Sequence, residues 1–354
     1  MPENADEVAL LSERVEPKKS RDGRRLWNLG PLTVRLAVAA VFASSVFLHG
    51  ADAENYPERR VTLIVPHPAG AQADAVARLL ADRMSKIWNQ PVVVENKVGA
   101  NGNLGAEVVA RAAPDGYTVM LTTTGPLAIN TALFHSLDFD PQKDFDPVAL
   151  VCMGATLIAS SIEFPATRLS DVIALARSEP GKLSMGTGGV GTGGHFILAE
   201  LNKMAGIEIT QIPYRGSMQA VADLAGGAVP VAATDATAML PLITGGKIRP
   251  LAAAGAKRLP QLPDIPTVAE AALPGFDVTP WIAVATPHGT PAEAIKTLNS
   301  EIYTVMGDSK VKGAMVDLAC NPVPTMSTSE VAAFIRKEIP IWAQRVRDAH
   351  LDVQ

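Results

Sequence analysis

Two loops carry most of the chemistry open to this chain. In the first, the apolar run Val61-Thr62-Leu63-Ile64-Val65 ends in Pro66-His67-Pro68-Ala69-Gly70. Val76, Leu79, Leu80, Met84 and Ile87 follow at helical spacing. A strand that breaks at Pro and Gly and restarts as a helix leaves the first-turn N–H groups without intrahelical acceptors. Those donors, with the positive end of the helix dipole, form an anion site. In the second loop, Gly186-Thr187-Gly188-Gly189-Val190-Gly191-Thr192-Gly193-Gly194 joins a strand to a helix that starts near His195. Its glycines read as backbone left bare so that a small ligand can approach N–H groups, and Gly189→Val is expected to weaken binding without changing the melting temperature. The spacing Gly186-x-Gly188-x-x-Gly191 formally fits a dinucleotide fingerprint. The next strand, however, ends in Ile212-Pro213-Tyr214 and not in the acid that would hold a ribose.

Catalytic and metal chemistry have little to stand on. His67, His135, His195, His288 and His350 are scattered, and neither a His-Glu-x-x-His, a Gly-x-Ser-x-Gly nor a P-loop pattern occurs. A hydrolase or isomerase would have to take its base from His67, His195, Asp74 or Asp235. His195 reads as a packed or capping histidine. Asp74 suits the helix dipole as well as it suits a ligand. The acidic stretch Asp138 to Asp146 lacks the glycine and the terminal glutamate of a calcium loop and reads as solvated surface. No cofactor, no metal and no enzymatic activity are expected.

The elements that must position the two loops are legible around them. Val92 to Glu95 and Tyr117 to Leu121 read as strands, separated by a helix over about Leu104 to Ala112 that stops at Pro114-Asp115-Gly116. The third strand ends in Thr122-Thr123-Thr124-Gly125-Pro126, before another helix. Val148 to Ser161 reads as a long strand leaving the first domain, and a second αβ series follows. It runs through a helix over 166–178, strands at Lys182 to Met185, Ile207 to Ile212 and Val229 to Ala233, and a return strand near Val278 to Ala285. Strands alternating with helices predict an α/β fold with mostly parallel sheets and a crevice at the carboxyl ends of the strands. The expected division is a leader over 1–53, domain I over 54–150 plus 284–354, and domain II over 151–283, with crossing strands near Val151 and Val284.

With 47% hydrophobic and 19% charged residues in 354, the chain is globular and large enough for two cores. Arg21, Arg24 and Arg25, the apolar stretch Leu36 to Leu48, and Ala51-Asp52-Ala53 have the order of a secretion signal, so export from the cytoplasm is expected, with cleavage near Glu54. Basic and acidic residues balance within 1–53, leaving the net charge of −5 to the remainder. Nothing in a mildly acidic composition points to a nucleic-acid surface, and anion binding is expected through local dipoles. Cys152 and Cys320 are the only cysteines. One disulfide is possible, and two buried thiols packed as small hydrophobes is the expectation.

At the residues just described the chain resembles the periplasmic solute-binding proteins of tripartite tricarboxylate transporters, the Bug-type receptors. The marks are Pro66-x-Pro68-Ala69-Gly70 with Asp74 and Ala77-Arg78, Val94-Glu95-Asn96 with Gly99-Ala100, and Pro114-Asp115-Gly116-Tyr117-Thr118. Pro180-Gly181-Lys182-Leu183, the glycine cluster to His195, Pro213-Tyr214-Arg215-Gly216, Pro263-Asp264-Ile265-Pro266-Thr267 and Gly289-Thr290-Pro291 continue them. What the resemblance implies is a monomeric two-domain clamshell of the periplasmic-binding-protein type. It would close over a small organic or amino-acid carboxylate and deliver it to membrane transporter subunits. Signalling to a membrane partner is the alternative use of the same design. The implied contacts fall on Pro68, Ala69, Gly70, Ala71, Gln72 and Asp74, then on Thr123 and Thr124. In the second domain they fall on Thr187, Gly188, Gly189, Val190, Gly191, Thr192, His195 and Asp235. Two departures stand out: the family usually has a second glycine where Ala71 stands and an apolar residue where His67 stands.

Overall fold

The computed structural model describes residues 56–349 and 351; the leader expected over 1–53 lies outside them. Val61–Val65 (β1) is buried along almost its whole length, as a central parallel strand must be. Helix α1, Gln72–Trp88, lays Val76, Ala77, Leu80 and Met84 on the sheet and ends at Asn89 in a left-handed conformation, just before Pro91. Ile87, expected on the buried stripe, is 54% exposed in the last turn.

Val92–Asn96 (β2) and Thr118–Thr123 (β3) pair parallel to β1 on either side, with Asn103–Ala110 (α2) between them in sequence. The expected long strand is two strands, Phe145–Gly154 (β4) and Thr156–Ser161 (β5), and the chain changes sheet at Ala155. In the second sheet Ser184–Thr187 (β6) is flanked by Thr210–Pro213 (β7) and Val231–Asp235 (β8), again both parallel. β5 and Ile248–Ala253 (β9) extend that sheet antiparallel. The chain then returns to the first sheet as Trp281–Pro287 (β10), antiparallel between β3 and β4, and Cys320–Pro322 (β11) closes the edge. The resulting orders are β11-β4-β10-β3-β1-β2 and β7-β6-β8-β5-β9. Each lobe is a parallel three-strand unit widened by antiparallel strands, and the chain changes sheet at Ala155 and again before Trp281.

The two connections run side by side. Gly154 N–H donates to the Pro280 carbonyl at 2.7 Å, and the Thr156 hydroxyl donates to the Val278 carbonyl at 3.3 Å. The long last helix, Thr328–Asp348, opens with a capping box formed by Ser327 and Glu330. It packs on both lobes: against β4 in the first, and against Gly193–Ala205 in the second, where Trp342 meets Phe196 edge to face at 5.2 Å.

The cysteines correct one expectation. Cys152 in β4 and Cys320 in β11 form a disulfide with Cα atoms 5.5 Å apart. Both are fully buried, as small hydrophobes would be, but β11 pairs with β4 in a register that brings the two sulfurs together.

Candidate functional site

β1 and β6 are the middle strands of the two parallel units, and each is followed by its loop and then a helix. Hydrogen bonding sets the shape of both loops. In the first, the Ala71 N–H donates to the Pro68 carbonyl, and Gly70, at φ +82°, donates its N–H to Asp74 Oδ2 at 2.9 Å. Asp74 also accepts from Arg78 Nε at 3.0 Å and from Asn96 Nδ2 at 2.9 Å, while Asn96 donates to the His67 carbonyl. Burial alone would raise the Asp74 carboxyl. The bonds from Arg78, Gly70 and Asn96 outweigh it, and the group is held below the usual carboxylate range. Asp74 therefore frames the loop. The amides of Gln72, Ala73 and Asp74 stand in the first turn of α1, where helix geometry leaves donors free.

Several expected contacts are committed to the scaffold. The Gln72 amide donates to the carbonyls of Leu318 and Ala319 at 2.8 and 3.0 Å. Thr124 Oγ1 accepts from the Trp281 N–H at 2.9 Å, fixing the point where the chain re-enters the first sheet. Thr123 places its N–H 3.4 Å and its hydroxyl oxygen 3.2 Å from His67 Nε2. Pro68, Ala69 and Ala71 remain as loop backbone at the head of α1.

The second loop is as tightly held. Thr187 Oγ1 accepts from Gln211 Nε2 at 2.7 Å, and Thr192 Oγ1 donates to the Gly189 carbonyl at 2.8 Å. The Gly191 N–H donates to His195 Nδ1 at 3.1 Å, so His195 caps its own loop. Asp235 ends β8 and accepts from the Ala238 N–H at the start of the helix Ala236–Thr244; burial raises its carboxyl. The glycines divide by role. A Cβ on Gly194 would collide with the Ala233 carbonyl, so this glycine lets the helix sit on β8. Gly189, at φ +131°, would place a Cβ 3.0 Å from the Tyr214 carbonyl. Gly189→Val thus strains the loop itself, and an unchanged melting temperature is no longer the expected outcome. Gly188 faces Ser217, while Val190 is exposed.

Asn101, Asn130 and Leu133 were not expected at the site. The glycine loop meets Asn101 and Leu133 directly and Asn130 only through Asn101: Asn101 Nδ2 donates to the Gly191 carbonyl at 3.3 Å and to Asn130 Oδ1 at 2.8 Å, and a Cβ on Gly191 would run into Leu133. The sequence signal at Asn101 was only that of a turn. The loops after β1 and β6, the ends of β3 and β8, and the Asn101 turn therefore gather at the carboxyl ends of the two parallel units, where open α/β sheets bind ligands. The expected contacts include two acids and one histidine but neither lysine nor arginine, and Arg78 is neutralised by Asp74 at 2.9 Å. An anion here would be held by backbone donors and helix ends.

The profile of the Tripartite tricarboxylate transporter family receptor matches residues 76–351. The chain belongs to that family. Protein BugT of Bordetella pertussis (strain Tohama I) is 33% identical over 319 residues, 90% of this chain and 98% of BugT. The structure of R. palustris Rpa4515 with adipate is 34% identical, covers 84% of this chain and all of its own, and superposes with a TM-score of 0.81. MatC (Rpa3494) from Rhodopseudomonas palustris with bound malate is 32% identical over 82% of this receptor and all of MatC, with a TM-score of 0.76. The family consists of periplasmic solute-binding receptors and not of enzymes.

In this receptor His67 and His195 are both pushed down from 6.5 to about 4, because burial disfavours the imidazolium. An unfolded chain titrates them near 6.5, so between pH 6.5 and 4 the unfolded state binds more protons. Their stabilising effect is complete above about pH 6.5 and is lost as the pH falls. For His67 the loss approaches about 3 kcal/mol at pH 4, and His195, half-buried like His67, acts in the same direction. Urea unfolding at pH 7.5, 5.5 and 4.5 should show a shallower pH dependence in His67→Gln than in the native protein, and parallel profiles would remove His67 as a cause.

Proposed function

We propose that this receptor captures a small mono- or dicarboxylate between its lobes and hands it to membrane transporter subunits of its own system. The observation that carries this reading is the pairing of two glycine-bearing helix starts, one per lobe, in a site whose expected side chains supply no free cation. Backbone N–H groups clamp carboxylates well when water is excluded, because the lower dielectric strengthens each charge-assisted bond. Adipate and malate in two related receptors give the ligand class its scale. The expected contacts at Pro68 to Gln72, Thr123, and Thr187 to Thr192 belong to this proposal, mostly through backbone. So does export through the leader with a mature start near Glu54, checked by N-terminal sequencing of the exported protein.

Calorimetric titration of the purified protein with a dicarboxylate series from malonate to adipate, with malate and with acidic amino acids, is the test. At least one acid should bind with one-to-one stoichiometry and be recovered chemically unchanged. Absence of binding across the whole set, with the protein folded, would defeat the reading.

A further inference from the structure

From the geometry around Gly191 we infer that Asn101 is an interlobe latch, whose side chain holds the glycine loop of the second lobe against the first and slows the opening of the cleft. Asn101 stands at φ +51°, ψ 35° in the turn between β2 and α2. That left-handed conformation needs no asparagine side chain, because glycine adopts it at lower cost. What the side chain adds is reach. Its Nδ2 donates at 2.8 Å to Asn130 Oδ1 within its own lobe and at 3.3 Å to the Gly191 carbonyl of the other.

Asn130 fixes which way the Asn101 amide points. It is fully buried, and its Nδ2 donates to the Asn101 carbonyl at 3.1 Å and to Asn103 Oδ1 at 2.5 Å. Its Oδ1 is therefore the acceptor left for Asn101 Nδ2, so Asn101 presents a donor across the cleft. On the far side Gly191 is tied at both ends, its N–H to His195 and its carbonyl to Asn101. Lacking a side chain, it also lets the backbone come against Leu133. Lobe separation must break this bond and uncover that contact. The loop expected to hold the ligand is thus the loop that the latch holds. The consequence for ligand release rests on the function proposed above, whereas the consequence for closure does not.

The test compares the native protein with Asn101→Gly and Asn101→Asp. Both replacements tolerate the turn; glycine removes the donor, and aspartate sets an acceptor against the Gly191 carbonyl. Dyes on noncanonical residues at Lys296 in the first lobe and Lys182 in the second, both exposed, report the interlobe distance by single-molecule energy transfer. It is read without ligand and with adipate. The closed fraction should fall from native to glycine to aspartate. Adipate release from Asn101→Gly should quicken about three- to tenfold, the effect of one lost neutral hydrogen bond, with association changed less. Identical distance distributions in all three proteins under both conditions would overturn the latch, as would a native protein with no short-distance population in either. If adipate moves nothing while the ligand-free proteins still differ, the latch stands, adipate alone falls as the ligand, and the release arm is read with the acid that binds in calorimetry.

Discussion

Replacing Cys152 and Cys320 together by alanine is expected to produce a large loss of stability, about 2–5 kcal/mol by equilibrium denaturation. The bond closes a loop of 168 residues that contains the whole second lobe. Chain entropy alone puts the effect of so long a loop at about 5 kcal/mol at 25 °C, with native-state relaxation reducing it. The consequence reaches the site. β11 is three residues long and lies at a sheet edge, so the disulfide is the strongest tie on the segment before it. In that segment the Leu318 carbonyl accepts from Gln72 at the start of α1 and from Thr237 at the start of the helix Ala236–Thr244, at 2.8 and 2.6 Å. One carbonyl thus braces a helix start from each lobe. The double variant should bind the proposed carboxylate more weakly as well as unfold earlier. A midpoint within 0.5 kcal/mol of the native protein, roughly the scatter of neutral surface changes, would contradict the assignment.

Trp281→Ala should cost about 3–5 kcal/mol, as large aromatic truncations in a closed core do. Trp281 has no exposed surface, and its ring meets Phe334 edge to face at 5.7 Å. Its indole N–H donates to Glu338 Oε2 at 3.1 Å, and the same oxygen accepts the Trp342 indole at 2.9 Å. Its backbone N–H is held by Thr124 where the second connection re-enters the first sheet. Trp281→Phe separates the contributions: it keeps most of the ring and loses the bond to Glu338, with an expected cost of about 1–3 kcal/mol. Denaturation curves for the two variants, measured with the native protein, check both figures. A cost below 1 kcal/mol for the alanine variant would show that the core around the second connection repacks to fill the gap.

Much of this protein is legible without coordinates because its strand–loop–helix units are local. The run Val61 to Val65, the break at Pro66 to Gly70 and the helical spacing after it lie within one stretch of chain, and so do the strand, glycine cluster and helix around Gly186 to His195. Apolar periodicity and the backbone demands of glycine and proline act over a few residues, so sequence alone determined the α/β alternation and both loops. It also carried the family resemblance.

Tertiary structure decided what joins residues far apart in the chain. Cys152 bonds to Cys320 because a three-residue edge strand, silent in composition, takes one particular register on β4. Gln72 reads as a ligand contact in sequence, and its amide is spent on carbonyls some 246 residues away. Gly194 reads as bare backbone for a ligand, and it is needed where a helix crosses β8. Asn101 reads as a turn and reaches Gly191, 90 residues on, only because the two lobes face each other there. Local propensity fixes what a segment is, whereas the partner of a polar group or a small residue depends on which surfaces folding brings together. Long-range geometry therefore decided which candidate side chains are spent on the scaffold, as those of Gln72 and Thr124 are.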